Sequence, residues 1–307
     1  MIYPPALRPG DTVALIAPAG PVDGPTIDRA LERCRRLGLQ PDLGPNARAR
    51  TGYLAGEDGD RADDLRRAIE GDAAGIWALR GGYGTLRTLE HVDLSPLRAR
   101  PKSFIGFSDN TAVHLALLRE GIVSFHGPHA GFEHFPAATA AAFRAVVMTP
   151  EPAGPLPVSG DRSVRPEALV PGTAEGPLIG GNLSLLAATC GTRYQPDTRG
   201  AILFFEDVGE ATYRLDRMLM QLRLAGMLDD VAGVAIGDLA GSGEEAAARD
   251  VVAELLGRLE VPVAFGLPFG HGEENWTLPL GVPARLDADA GTLALLEAAT
   301  TRAEGVA

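Results

Sequence analysis

The 307 residues are 45% hydrophobic and carry 28 Lys and Arg against 40 Asp and Glu, a formal charge of -12. That length buries one large or two ordinary cores, and the charge balance gives a nucleic-acid backbone nothing to bind. No stretch approaches the ~20 apolar residues of a membrane span, and the opening MIYPPALRPGD has no basic segment followed by a long apolar run, so a soluble cytoplasmic protein is expected.

Along the first half, one unit repeats: a short β-rich run, a Gly- or Pro-rich turn, and an amphipathic helix. TVALIAPAGPVDG leads into a helix over about Thr26 to Leu37, in which Cys34 keeps helical spacing with Leu31 and Leu37 and reads as a buried structural thiol. GDRADDLRRAIEGD is a helix whose acidic start suits the positive end of the dipole. AGIWALRGGYG and KSFIGFSDN follow as further strand-to-turn units, each leading into a helix. Strands alternating with helices mean βαβ units and a mainly parallel sheet. Cys34 and Cys190 form no C-x-x-C pair, which argues against a disulfide framework or a zinc knuckle.

From about Pro136 the pattern weakens into a Pro- and Gly-dense stretch, read as an interdomain linker over 141–176 between an N-terminal α/β domain (1–140) and a C-terminal α/β domain (177–307). The second half resumes with GPLIGGNLSLLAATCG and a strand GAILFFEDV. A helix through YRLDRMLMQLRLAG follows, with Leu215, Met218, Leu219 and Leu222 on one face. The tail reads as strands paired around Asp289 to Gly291.

Ligands of open α/β sheets bind beyond the carboxyl ends of the strands. Four loops there carry the unusual residues: RGGYG (80–84), GFSDN (106–110), FFEDVGE (204–210) and PFGHGEEN (268–275). Ser108 admits two readings. It is either the cap of the helix that follows, since SDNT supplies four good capping residues in a row, or a nucleophile exposed at a tight strand-to-helix turn. The second glycine of G-x-S-x-G is Asn110 here, so the α/β-hydrolase signature is not met. His271, flanked by glycines, is a candidate base, and Glu206, directly after four apolar residues, a candidate orienting acid. Each has a plain alternative as a solvated polar residue. His126, His129 and His134 crowd together, but their spacing matches no metal-ligand pattern. The run after Gly82 and Gly84 continues to Arg87, so the dinucleotide fingerprint fails, while Arg80 could grip a carboxylate.

Taken in order, LRPGDTVALIAPAGPV, RGGYG, IGFSDNTAVHLAL, GPLIGGNLSLL, LFFEDVGEATYRLDRMLMQL and LPFGHGEENWTLPLG resemble the serine LD-carboxypeptidases, or murein tetrapeptide carboxypeptidases. The similarity covers nearly the whole chain. It implies a flavodoxin-like or class I glutamine-amidotransferase-like parallel sheet in the N-terminal half, a smaller C-terminal α/β domain, and a homodimer. Carried over motif by motif, it makes Ser108 the nucleophile, His271 the general base and Glu206 its orienting carboxylate. The backbone N–H groups of Asp109 and Gly82 would form the oxyanion hole. Arg80 and Asn182 are expected to hold the substrate, a murein peptide that loses its terminal D-alanine, and neither metal nor organic cofactor is called for. Within the same family, microcin C self-immunity peptidases stack an aromatic ring on a nucleotide base. Trp77 and Trp276 are the only tryptophans available for such a role. A non-catalytic anion-binding protein and a metallohydrolase built on the three histidines are the readings from other classes.

Overall fold

The computed structural model describes residues 1–157, 165–242 and 245–302. The N-terminal half runs β1 (Thr12–Ile16), α1 (Gly24–Arg36), β2 (Gln40–Leu43), α2 (Asp58–Glu70), β3 (Gly75–Ala78), α3 (Thr85–Leu89), β4 (Ser103–Gly106), α4 (Thr111–Arg119), β5 (Phe125–His126) and α5 (Ala137–Val147). β1, β3 and β4 are almost wholly buried, as strands covered by helices on both faces must be. Local chemistry starts the helices. The Asp23 carboxylate accepts from Thr26 N–H at 2.8 Å at the head of α1, and Glu57 and Asp60 form a reciprocal capping box at the head of α2.

The second half continues with β6 (Gly154–Pro155), β7 (Glu167–Val170), β8 (Thr173–Asn182), α6 (Leu183–Thr189), β9 (Ile202–Val208), α7 (Thr212–Leu224), β10 (Gly233–Ala240), α8 (Glu245–Leu256), β11 (Val263–Phe265), β12 (Leu278–Pro279), β13 (Pro283–Asp287) and β14 (Thr292–Leu295). One sheet has the order β12-β5-β4-β3-β1-β2, and the other β6-β14-β13-β8-β9-β10-β11-β7. In the first, β5 through β2 are parallel and β12 is an antiparallel edge. In the second, β8, β9, β10 and β11 form the parallel centre, and antiparallel strands close both sides. The expected tail hairpin is β13–β14, with Asp287 opposite Thr292.

Two features depart from the sequence reading. The 141–176 stretch contributes the end of α5, β6, β7 and the first residues of β8, because strands as short as Gly154–Pro155 leave no periodic trace. β12 crosses back, pairing Leu278 with His126 and joining the last quarter of the chain to the N-terminal sheet. The second sheet has eight strands against six in the first, and two of the eight, β6 and β7, come from the 141–176 stretch. One apolar core accordingly spans both sheets, running from Val13, Leu15 and Trp77 through Phe125 and Phe143 to Leu178, Phe204 and Leu278. Cys34 lies in it with its thiol pushed by burial up to about 12. Among the described residues, no helix is long and apolar enough to cross a membrane.

Three histidines sit fully buried where the two sheets meet. His114 donates from Nε2 to Gly106 O (2.8 Å) and so accepts from the Ser124 hydroxyl at Nδ1 (2.9 Å). His126 packs edge-on against Phe107 and Phe204, with neither nitrogen hydrogen-bonded among the described residues. His129 lies on the Phe107 ring at 4.2 Å. Burial holds all three neutral, His114 down at about 4 and the other two well below the usual histidine value. Because their folded values are depressed, the unfolded chain binds more protons once the pH falls below about 6.5. Stability should be full above that pH and decline toward pH 4 by up to about 1.4 kcal/mol per unit for each ring. Urea midpoints measured from pH 8 to pH 4 check this, with a pH-independent midpoint as the contrary result.

Candidate active site

At the carboxyl end of β4 the chain turns through Ser108 into a short 3-10 segment, Ser108–Asn110, and then α4. Ser108 has φ +58°, and among the described residues it is the single non-glycine in the left-handed region. A side chain there costs about 1–2 kcal/mol. That strain rules on the cap reading: α4 takes Asn110 as its N-cap residue, and no side chain, Ser108 included, makes a capping bond there. The turn instead lifts the hydroxyl toward the RGGYG loop. A Cβ placed on Gly81 would fall 2.9 Å from Ser108 Cβ and 3.0 Å from its Oγ, so only glycine fits beside the serine.

What holds the turn lies beneath it. Asp109 is buried, and its carboxylate accepts from the amide and hydroxyl of Thr85, both at 2.8 Å. Burial raises the Asp109 carboxyl, and the Thr85 and Gly84 donors offset only part of that, so the net shift is upward. Asp109 therefore locks the serine turn to the start of α3 and to the glycine loop before it. On the other side, His129 Nε2 lies 3.0 Å from both Phe107 O and Asn110 Nδ2, and 3.4 Å from Phe107 N. The metallohydrolase reading groups His129 with His126 and His134. His129 is an aromatic support under the turn, and among the described residues no group of His, Cys, Asp or Glu is arranged to hold a metal ion.

The acid and base come from the second sheet. Glu206, on β9, is fully buried and accepts from His271 Nδ1 at 2.6 Å. The histidine loop passes this close because Gly270, at φ +107°, replaces a Cβ that would sit 2.7 Å from Glu206 Oε2. Asn275 Oδ1 accepts from Gly270 N–H at 3.3 Å and steadies the loop. Burial pushes the His271 ring down, but the charge and hydrogen bond of Glu206, backed by Asp207 and Asp238, more than reverse it, so its net shift is upward. The ring remains 17% exposed and packs 4.7 Å from the ring of Phe107, which places it beside the residue that precedes Ser108.

Asn182, expected to hold substrate, has a different post. It is 4% exposed, and its amide nitrogen donates to Glu206 Oε1 (3.2 Å) and Asp207 Oδ1 (3.0 Å) while its oxygen caps α6 at Leu185 N. It orients the acid and has no donor left for a ligand. Asp207, raised by burial and by the neighbouring Glu206 charge, is bound by Ser184 and Val208 N–H. Arg80 is exposed and donates from one nitrogen to Pro21 O at 2.9 Å, and among the described residues the rest of its guanidinium is open.

Sequence comparison decides the family. The N-terminal domain pattern of the LD-carboxypeptidases matches residues 13–127, and the C-terminal domain pattern matches residues 175–286. The chain belongs to the LD-carboxypeptidase family. A Bacillus subtilis protein named "Probable murein peptide carboxypeptidase" is 37% identical, over 92% of this chain and 91% of that one. Among LD-carboxypeptidase structures, the muramoyltetrapeptide carboxypeptidase of Oxalobacter formigenes superposes with TM-score 0.79 at 33% identity, covering 92% of this chain and 97% of its own. A microcin C7 self-immunity protein solved with glutamyl sulfamoyl guanosine reaches TM-score 0.89 at 24% identity, covering 98% and 100%, a likeness of fold alone.

Because Glu206 is what raises the His271 ring, Glu206→Gln should lower it. Peptidase activity that rises with pH as the ring deprotonates would then begin its rise at lower pH, with kcat reduced on the order of 10,000-fold. The kcat/KM profile between pH 5 and 9 checks this, and an unmoved acidic limb would show that Glu206 does not act through His271.

Proposed function

We propose that the protein is a serine-type LD-carboxypeptidase that releases the terminal D-alanine of a murein tetrapeptide. One observation carries the reading. A strained serine whose side chain caps nothing is pressed against a glycine loop, and the next ring across is an imidazole whose Nδ1 is taken by a buried carboxylate. With Nδ1 committed to Glu206, His271 Nε2 is the nitrogen free to accept the Ser108 proton. Ser108 Oγ then attacks the carbonyl of the L,D-peptide bond. The same imidazole protonates the departing D-amino acid, and water releases the acyl group through the reverse sequence.

The oxyanion would accept from the N–H groups of Asp109 and Gly82. Gly81 O is bound by Gly20 N–H at 2.9 Å, and in the trans Gly81–Gly82 peptide the Gly82 N–H points the opposite way. That favours Gly82 as the second donor. Arg80, with open donors at the same loop, suits a substrate carboxylate. As part of the same reading, the enzyme acts in the cytoplasm as a homodimer.

The microcin-type reading needs an aromatic ring for a nucleotide base. Both tryptophans are buried, Trp77 bonded to Pro128 O and Trp276 to Pro157 O, so neither can serve as that ring, and the similarity to proteins named as murein peptide carboxypeptidases favours the peptide substrate. Ser108→Ala should lose D-alanine release from purified murein tetrapeptide by about 1,000-fold or more. The test is chirality-resolved analysis of the released amino acid, and normal release by the variant would end the serine assignment.

A further inference from the structure

The first sheet reverses its strand order at β1: β2 pairs on one side of β1 and β3 on the other, both parallel. In open α/β sheets the crevice at such a reversal, outside the carboxyl ends of the strands, is where ligands enter. Here it holds a pocket of about 340 Å³ lined by Gly20 and Pro21 after β1, Arg50, Gly52 and Tyr53 after β2, and Arg80, Gly82 and Tyr83 after β3. The loops after β1 and β3 are locked together by Gly20 N–H bonding Gly81 O, and a Cβ on Gly20 would come within 2.9 Å of that oxygen. The pocket wall thus includes the glycine offered above as an oxyanion donor.

Two properties of the lining stand out against the rest of the surface. The chain carries a formal charge of -12, yet this pocket presents two guanidinium groups, and among the described residues neither is ion-paired to a carboxylate. Arg80 is aimed by its bond to Pro21 O. The second property is aromatic. Tyr53 and Tyr83 are 66% and 50% exposed, with ring centroids 5.9 Å apart and planes tilted by 57°. The Tyr53 turn is not loose: Thr51 and Leu54 bond each other's backbone in both directions, Ala55 N–H bonds Ala19 O, and the buried Arg61 bonds Gly56 O at 2.7 Å. An ordered turn that spends this much bonding to hold a tyrosine in water, next to two open guanidiniums, is built for a ligand.

We propose that Arg50 and Arg80 form a carboxylate subsite, with Tyr53 and Tyr83 walling the hydrocarbon that carries the carboxylate. The occupant is a substrate carboxylate other than the reacting carbonyl. It is either the C-terminal carboxylate of the leaving D-amino acid or a free carboxylate within the acyl part of the peptide. The assignment rests on the peptidase reading of Ser108, and it adds Arg50 and the 50–54 turn to what recognises substrate. Planar guanidinium forks bind carboxylates in pairs of parallel bonds, which an amide cannot accept in the same way.

The test uses three tetrapeptides: the free acid, its C-terminal amide, and a version amidated at the acyl-side carboxylate. Binding is measured by calorimetry on Ser108→Ala protein and turnover on protein with Ser108 intact, each with Arg50 present and as Arg50→Gln. The expected result is that one amide binds at least tenfold more weakly when Arg50 is present, with the change in KM rather than kcat. Arg50→Gln should weaken the free acid by a similar factor and bring no further loss for that amide. Which amide behaves this way identifies the carboxylate. Equal weakening of all three peptides by Arg50→Gln, no effect on any, or no binding of any peptide would overturn the subsite. Carboxylate-dependent binding without turnover of any peptide would leave the subsite standing and sink the peptidase reading.

Discussion

The candidate active site depends on a buried charge. Glu206 is shut off from bulk solvent, and an unpaired carboxylate in that position would cost several kcal/mol. Two donors answer it: His271 Nδ1 on one oxygen and Asn182 Nδ2 on the other. Each donor is fixed by something else. Asn182 ends β8 and starts α6, and His271 stands between two glycines whose missing Cβ atoms admit Glu206 and Asp238. The imidazole is therefore oriented by the need to neutralise the carboxylate, and its tautomer follows from the bond it makes.

The serine belongs to the other sheet, so the site exists only while the two sheets are held in register. The shared core does this in bulk, and two specific links do it near the chemistry. Asn182 N–H donates to Thr111 Oγ1 at 2.9 Å, joining the end of β8 to the first residue of α4, and β12 adds the segment after the His271 loop to the edge of the first sheet beside His126. Positioning by rigid elements from both units is what allows a left-handed Ser108 to persist, since Asp109, His129 and Asn110 each fix one side of the turn.

Much of this was legible in the sequence, for reasons that can be named. The βαβ alternation, α1, α7 and the tail hairpin all follow from periodicity and turn residues. Ser108, Glu206 and His271 stand out as candidates because strand-end loops with glycine neighbours are where chemistry collects, and because their order matches a family. What escaped shares a cause. Pairing of Leu278 with His126 joins two-residue strands far apart in sequence, and no period survives in two residues. Asn182 carried a polar side chain in a suggestive loop, but its commitment to Glu206 and Asp207 is a matter of folded distance. His129 was grouped with its sequence neighbours, whereas its partners are Phe107 and Asn110. Tyr53 lies in a turn whose place beside Arg80 is set by the order of strands, which a linear pattern does not contain.

The central claim is that Ser108 Oγ becomes acylated. It is tested most directly by quenching the enzyme in acid during turnover of a murein tetrapeptide and measuring intact and proteolysed masses. The account predicts an added mass equal to the peptide acyl group, confined to the fragment containing Ser108 and absent from His271→Ala protein. Full turnover with no adduct there under any quench time, or an adduct on another residue, would contradict it.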